Sequence, residues 1–334
     1  MNSFGRIFRI SLFGESHGSA VGVTIDGCPA GLPLSAEDFT EDLARRRGDG
    51  RFTTARREPD EVVFLSGLFD GRTTGAPLTI MFQNRDIRSK DYFILKNTPR
   101  PGHADFTAMI KAGGWNDYRG GGHFSGRLTL GIVAAGVVGK LLLEDLEEVT
   151  IKARVTEIGG ATDTAKNLLD AQKKGDSLGG IIECIVTNLP AGLGEPFFDS
   201  VESLLSHLLF AIPGIKGVEF GAGFAAARMR GSEMNDIILD KSGKTATNHA
   251  GGINGGITNG NPVVFRVAVR PTPSIRIPQK TINLETGKRT ELTVEGRHDT
   301  CFALRLPPIV EAAAAIVCTD LMMLEERIPR ILPS

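Results

Sequence analysis

Residues 128–146 read LTLGIVAAGVVGKLLLEDL, and residues 309–327 read IVEAAAAIVCTDLMMLEER. Wound at 3.6 residues per turn, each is apolar on nearly every face, and a helix without a polar face is buried on all sides. Two such helices predict a thick, layered interior, with helices sandwiched between sheets or covered by an extensive subunit interface. A membrane is the competing explanation. The longest apolar run, from Leu128 to Leu143, carries three glycines and a lysine and is shorter than the ~18–20 residues a span requires. Residues 1–15 contain Arg6 and Arg9 and no continuous apolar stretch, unlike a signal peptide. The reading is a soluble, cytoplasmic protein with no membrane partner.

Around these helices, segments rich in Val, Ile and Phe and bounded by Gly, Pro, Asn or Asp read as strands: 7–13, 20–26, 61–69, 77–83, 150–157, 180–188, 220–228 and 262–270. Further helices are expected at 35–47, 164–174 and 199–211. The first opens with a start signature: Ser35 placed to cap, Asp38 three residues on, and Leu34 and Phe39 spaced as a hydrophobic staple. Adjacent strands interspersed with helices argue for α+β or α/β rather than a pure barrel. No repeat or linker divides the 334 residues, so one intertwined domain over 1–334 is expected. The 38 Lys and Arg against 39 Asp and Glu leave a net charge of −1. That balance excludes attraction through a global basic field, as in non-specific nucleic-acid binding. Two Tyr and one Trp leave few stacking platforms for single strands. Cys28, Cys184, Cys301 and Cys318 form no C-x-x-C pair and share no ligand spacing, so they read as reduced thiols, and no metal is expected.

The chemistry gathers where glycine clusters. Residues 113–126, GGWNDYRGGGHFSG, hold six glycines, and residues 251–260, GGINGGITNG, hold five. Such clusters mark backbone that approaches a ligand or adopts positive φ. The first runs into the apolar helix at 128–146, with Ser125 at or near the N-cap, which makes a natural anion site. It matches neither G-x-G-x-x-G nor a P-loop. Arginines sit in or beside these and other loops: Arg45, Arg46, Arg47, Arg51, Arg56, Arg57, Arg100, Arg119, Arg127, Arg270 and Arg297. Guanidinium forks suit phosphate and carboxylate. His17, His103, His123, His249 and His298 lie in polar or glycine-rich stretches, whereas His207 lies among leucines and reads as structural. Without H-E-x-x-H or paired Cys/His spacing, the histidines suggest proton transfer rather than zinc. The residues thus describe an enzyme for a small, multiply anionic substrate.

FGESHG at 13–18, RRR at 45–47, RFTTARREPDEV at 51–62, RPGHAD at 100–105, DYRGGG at 117–122, NHAGGI at 248–253 and GRHDTC at 296–301 resemble chorismate synthases, in order and over nearly the whole chain. The resemblance implies a β–α–β sandwich of the α+β class, helices packed between antiparallel sheets, assembled as a homotetramer. It implies a lyase of the shikimate pathway that converts 5-enolpyruvylshikimate 3-phosphate to chorismate and phosphate by 1,4-anti elimination, with reduced FMN. His17 is similar to the histidine that protonates the leaving phosphate. His103 is similar to the one near the flavin's anionic edge, and Asp299 to the carboxylate that helps deprotonate the central-ring nitrogen. Ser16, Arg46, Arg51, Arg100, Arg127 and Arg297 are implied around the substrate. His123, Phe124, Ser125, Pro213, Gly214, Gly255, Arg270, Pro271, Thr272, Pro273, Ser274 and Arg297 are implied around the flavin. Many family members carry RSSAR where this chain has HFSGR, so His123 stands at an arginine position. The chain ends at Ser334 soon after its last helix, so a terminal tail over the site is expected to be missing. NADPH enters only as a reductant; without a dinucleotide fingerprint, an external flavin reductase is favoured. The alternative is a homologue that binds flavin or phosphate with altered catalysis, against which the retention of His17, His103 and Asp299 argues.

Overall fold

The computed structural model describes residues 2–48, 50–53, 58–86, 89–161, 164–294 and 298–333. Among them an antiparallel sheet runs in the order β1 (Ser3–Phe4), β2 (Arg9–Gly14), β3 (Ala20–Asp26), β7 (Leu78–Gln83), β4 (Val63–Ser66). A second runs β10 (Ile215–Phe220), β13 (Val263–Val269), β9 (Gly180–Thr187), β8 (Thr150–Ile158), also antiparallel. Short hairpins pair β5 (Leu68–Phe69) with β6 (Arg72–Thr73), β11 (Ile253–Asn254) with β12 (Ile257–Thr258), and β14 (Gln279–Ile282) with β15 (Arg289–Leu292). The helices are α1 (Thr40–Arg47), α2 (Asp105–Lys111), α3 (Thr129–Glu147), α4 (Thr164–Lys174), α5 (Val201–Ala211), α6 (Gly231–Met234) and α7 (Pro307–Leu324).

The two apolar helices form the middle layer. α3 packs on β2, β3 and β7 of the first sheet, α7 on β8 and β9 of the second, and the two lie against each other. The glycines of α3 are what allow this. A Cβ at Gly136 would lie 2.2 Å from the Ala312 Cβ, and one at Gly131 2.7 Å from a Leu12 methyl and 2.9 Å from the Gly22 carbonyl. The helix therefore gives up ~1 kcal/mol per glycine in propensity to gain close approach. One apolar cluster, with Phe8, Phe39, Phe82 and Phe265 at its largest side chains, joins both sheets to this layer. With its leading turn, α3 is 22 residues long, so length does not distinguish it from a span as the sequence suggested; burial does. The most apolar windows of Gly126–Glu147 and Pro307–Leu324 are 83% and 89% buried inside the protein.

Most expected elements form. The strand expected at 220–228 does not: β10 ends at Phe220, and residues 223–228 are a tight helical turn. Gly221 there has φ 54, with its Cβ position 2.0 Å from the His249 carbonyl, so the chain turns where the apolar run suggested extension. The strand expected at 61–69 is split into β4 and β5 by Gly67 at φ 81. Ser35 does not cap; its N–H and hydroxyl both donate to Asp38 Oδ2, at 2.7 and 3.1 Å. All four cysteines are buried and unbridged. Burial pushes the Cys28 and Cys318 thiols up to about 12.

Candidate active site

At the N-terminal end of α3 lies a cavity of about 880 Å³, walled by the first sheet, the turn after α5 and the segment after β13. The loop of GESHG leaves β2 and is closed by Asn84, whose Nδ2 donates to the carbonyls of Glu15 (3.0 Å) and Gly18 (2.9 Å). That places His17 in the wall, 6% exposed, its ring edge-on to Tyr92 at 4.9 Å. The triple glycine at 120–122 packs against it. Gly120, Gly121 and Gly122 have φ 59, 80 and 53, and a Cβ on Gly120 would sit 2.5 Å from His17 Cδ2. The Ser16 N–H donates to the Gly122 carbonyl at 3.1 Å. Only glycine fits here, because any side chain would displace the histidine.

The RPGHAD turn folds on its own ion pair. Arg100 Nε and Nη2 donate to the two oxygens of Asp105, each at 2.8 Å, and Nη1 donates to Ser274 Oγ at 3.1 Å. His103 Nδ1 lies 2.6 Å from Asp105 Oδ1 and 3.1 Å from Arg100 Nη2, and Nε2 faces Gly121. Burial, reinforced by the positive charges of Arg100 and Arg270, lowers the His103 pKa against the opposing pull of Asp105. Burial opposes ionisation of Asp105, yet hydrogen bonds from Arg100 and His103 hold its carboxyl well below the usual range.

Ser125 Oγ accepts from the Arg127 N–H (3.3 Å) and caps the turn into α3, as its place in the sequence suggests. This aims the positive end of the helix dipole toward the cavity. Arg127 is buried, with Nε donating to Asn84 Oδ1 (2.9 Å) and Nη1 to Asp60 Oδ1 (2.5 Å). Arg46, at the end of α1, donates to Thr129 Oγ1 (3.0 Å) and the Gly126 carbonyl (3.1 Å). His123 places Nδ1 2.8 Å from the Gly14 carbonyl and Nε2 3.2 Å from Asn2 Oδ1, so its ring is held by the first sheet and the N-terminal segment. Arg270 joins the wall segments: its N–H donates to the Gly214 carbonyl (2.9 Å) and Nη1 to the Gly102 carbonyl (2.5 Å). Thr272 Oγ1 is buried without a hydrogen-bond partner among the described residues.

Ser16, His17, His103, Arg46, Arg100, Arg127, His123, Phe124, Ser125, Pro213, Gly214, Arg270, Pro271, Thr272, Pro273, Ser274 and Asp299 all line this cavity. Two expected residues do not. Gly255 occupies the exposed turn between β11 and β12, at φ 63. Arg51 is exposed, its guanidinium 5.1 Å from the Phe52 ring centre. Arg297 lies outside the described residues. His298 lines the cavity as well, and so does His207, read from sequence as structural, edge-on to Phe4 at 5.2 Å. Sequence reasoning missed Arg305 and Asp60. Arg305 Nη1 donates to both oxygens of Asp299, at 3.1 and 3.3 Å, where the sequence pointed to Arg297 and His298 as neighbours. The Asp60–Arg127 pair joins residues 67 apart and leaves no local signal.

A family profile described as Chorismate synthase matches residues 8–323. The chorismate synthase of Chitinophaga pinensis is 58% identical, covering 99% of each chain. That of Thermococcus gammatolerans is 46% identical, covering 95% of this chain and 96% of its own. A crystal structure of chorismate synthase is similar at TM-score 0.73 and 28% identity, over 96% of this chain and 93% of that one.

Proposed function

The chain belongs to the chorismate synthase family, whose members are lyases, and we propose that it converts 5-enolpyruvylshikimate 3-phosphate to chorismate and phosphate by 1,4-anti elimination with reduced FMN. One observation carries the reading: His17, His103, Arg46, Arg100 and Arg127, from four separate motifs, line one cavity at the start of α3. Arg46 and Arg127, with the helix dipole, hold the substrate's phosphate and carboxylates. His17 delivers a proton to the departing phosphate oxygen. His103, its ring held beside Asp105 and Arg100, holds or releases a proton. Asp299, oriented by Arg305, accepts a proton.

The residues of the far wall fit FMN. The partnerless hydroxyl of Thr272, the guanidinium of Arg270 and the half-exposed ring of Phe124 offer a hydrogen bond, a cation and an apolar face. Bound there, reduced FMN supplies the electron density that helps the phosphate leave. The substrate is a small anion, its place is the cytoplasm, and reduction comes from an external flavin reductase, with NADPH the ultimate reductant only. The chain acts as one domain over 1–334 and as a homotetramer. The exposed Phe197, Phe198 and Phe224 support assembly, since large apolar side chains in water favour a covering partner.

Expression in a bacterial strain that lacks chorismate synthase tests the activity. Growth without added aromatic amino acids is the expected result; no growth, with the protein folded in the lysate, contradicts it.

A further inference from the structure

Asp60 sits where three arginines of the cavity meet. Its backbone is left-handed, φ 51, an uncommon conformation for a residue with a side chain but one that Asp and Asn tolerate. Its carboxylate is 2% exposed. Arg127 Nη1 reaches Oδ1 at 2.5 Å, while Arg47 Nε and Arg46 Nη1 lie 3.6 and 3.9 Å from Oδ2. Arg47 Nη2 also donates to the neighbouring Pro59 carbonyl at 2.9 Å. Arg47 Nε itself is buried with no hydrogen-bond partner among the described residues, and Arg46, Arg47, Asp60 and Arg127 all line the cavity.

Three guanidiniums of the cavity wall face one buried carboxylate, and guanidinium forks suit a phosphate dianion. Without that carboxylate the cluster is more positive by one charge, and phosphate would be held more tightly. We propose that Asp60 is the counter-anion of the Arg46–Arg47–Arg127 cluster and a positioning residue for the reaction, and that it weakens the site's hold on phosphate so that the product leaves. Arg47 Nε, poised but unbonded, is the donor that completes the phosphate site. This rests on the reading that phosphate is released in this cavity. A purely structural Asp60 would order the arginines, and its loss would weaken phosphate binding. The two roles therefore differ in sign.

Calorimetric titration with inorganic phosphate, on the FMN-saturated chain at fixed ionic strength, compares the wild type with Asp60→Asn. Asn keeps the left-handed backbone and an oxygen for Arg127. The expected result is phosphate bound about tenfold tighter in the variant, a modest yield for deleting a like charge beside an anion, with kcat and KM both lowered. Equal or weaker phosphate affinity in a folded variant overturns the role of Asp60 and leaves the cavity reading standing. Phosphate that does not bind the wild type at all overturns both. If Asp60→Asn does not fold, Asp60→Gly reads the same quantity, and failure of both to fold makes Asp60 a structural residue and overturns the proposal.

Discussion

His103 meets Asp105 through one ring nitrogen and turns the other toward Gly121, and its depressed pKa has a signed consequence. The folded protein resists protonating a ring that the unfolded chain protonates below about 6.5. Stability associated with this group is therefore present above that pH and lost as pH falls below it. Nuclear magnetic resonance titration of the ligand-free protein should place the His103 midpoint below 6.5, and His103→Asn should flatten the stability–pH curve over that interval. A midpoint above 6.5 would mean that Asp105 outweighs burial. His17 is more enclosed than its polar sequence context suggests, packed on Tyr92 and Gly120. Its replacement by alanine should still cost about 10²–10⁴ in kcat, the range for a general acid, with FMN affinity nearly intact. A loss under tenfold would remove it from proton transfer. At this scale the sequence named the histidines and most arginines, because GESHG and RPGHAD are polar loops with no packing reason to hold them. It did not name Asp60, whose partner Arg127 lies 67 residues along the chain, or Arg305, whose pairing with Asp299 depends on how the chain folds between them.

Among elements, α3 and α7 were legible because a helix apolar all round must be covered on every face. Their register was not legible; it depends on glycines meeting alanines across the interface. Gly136→Ala should destabilise the protein by about 1–3 kcal/mol, as overpacking does, because its methyl would overlap Ala312. Pairing it with Ala312→Gly should restore part of the loss. Thermal midpoints of the single and double variants check this; an unshifted single variant would mean that the two helices are not in this contact. α2 and the β14–β15 hairpin escaped the sequence reading for the opposite reason. α2 is a single short helix that leaves Phe106 and Ile110 exposed, and the hairpin is largely polar, so neither shows a buried stripe.

For the whole molecule, neutral net charge and a locally positive cavity go together: the arginines of one pocket are balanced by carboxylates elsewhere, and some, such as Asp60 and Asp299, stand inside it. The layered core holds the loops that build this pocket, which join segments from residue 2 to residue 305. We propose that this pocket eliminates phosphate only with reduced flavin. Anaerobic phosphate release from 5-enolpyruvylshikimate 3-phosphate, measured with chemically pre-reduced FMN and with oxidised FMN, tests it most directly. Turnover with reduced FMN and none with oxidised FMN is the predicted result; equal release with oxidised FMN, or with no flavin, would contradict the account.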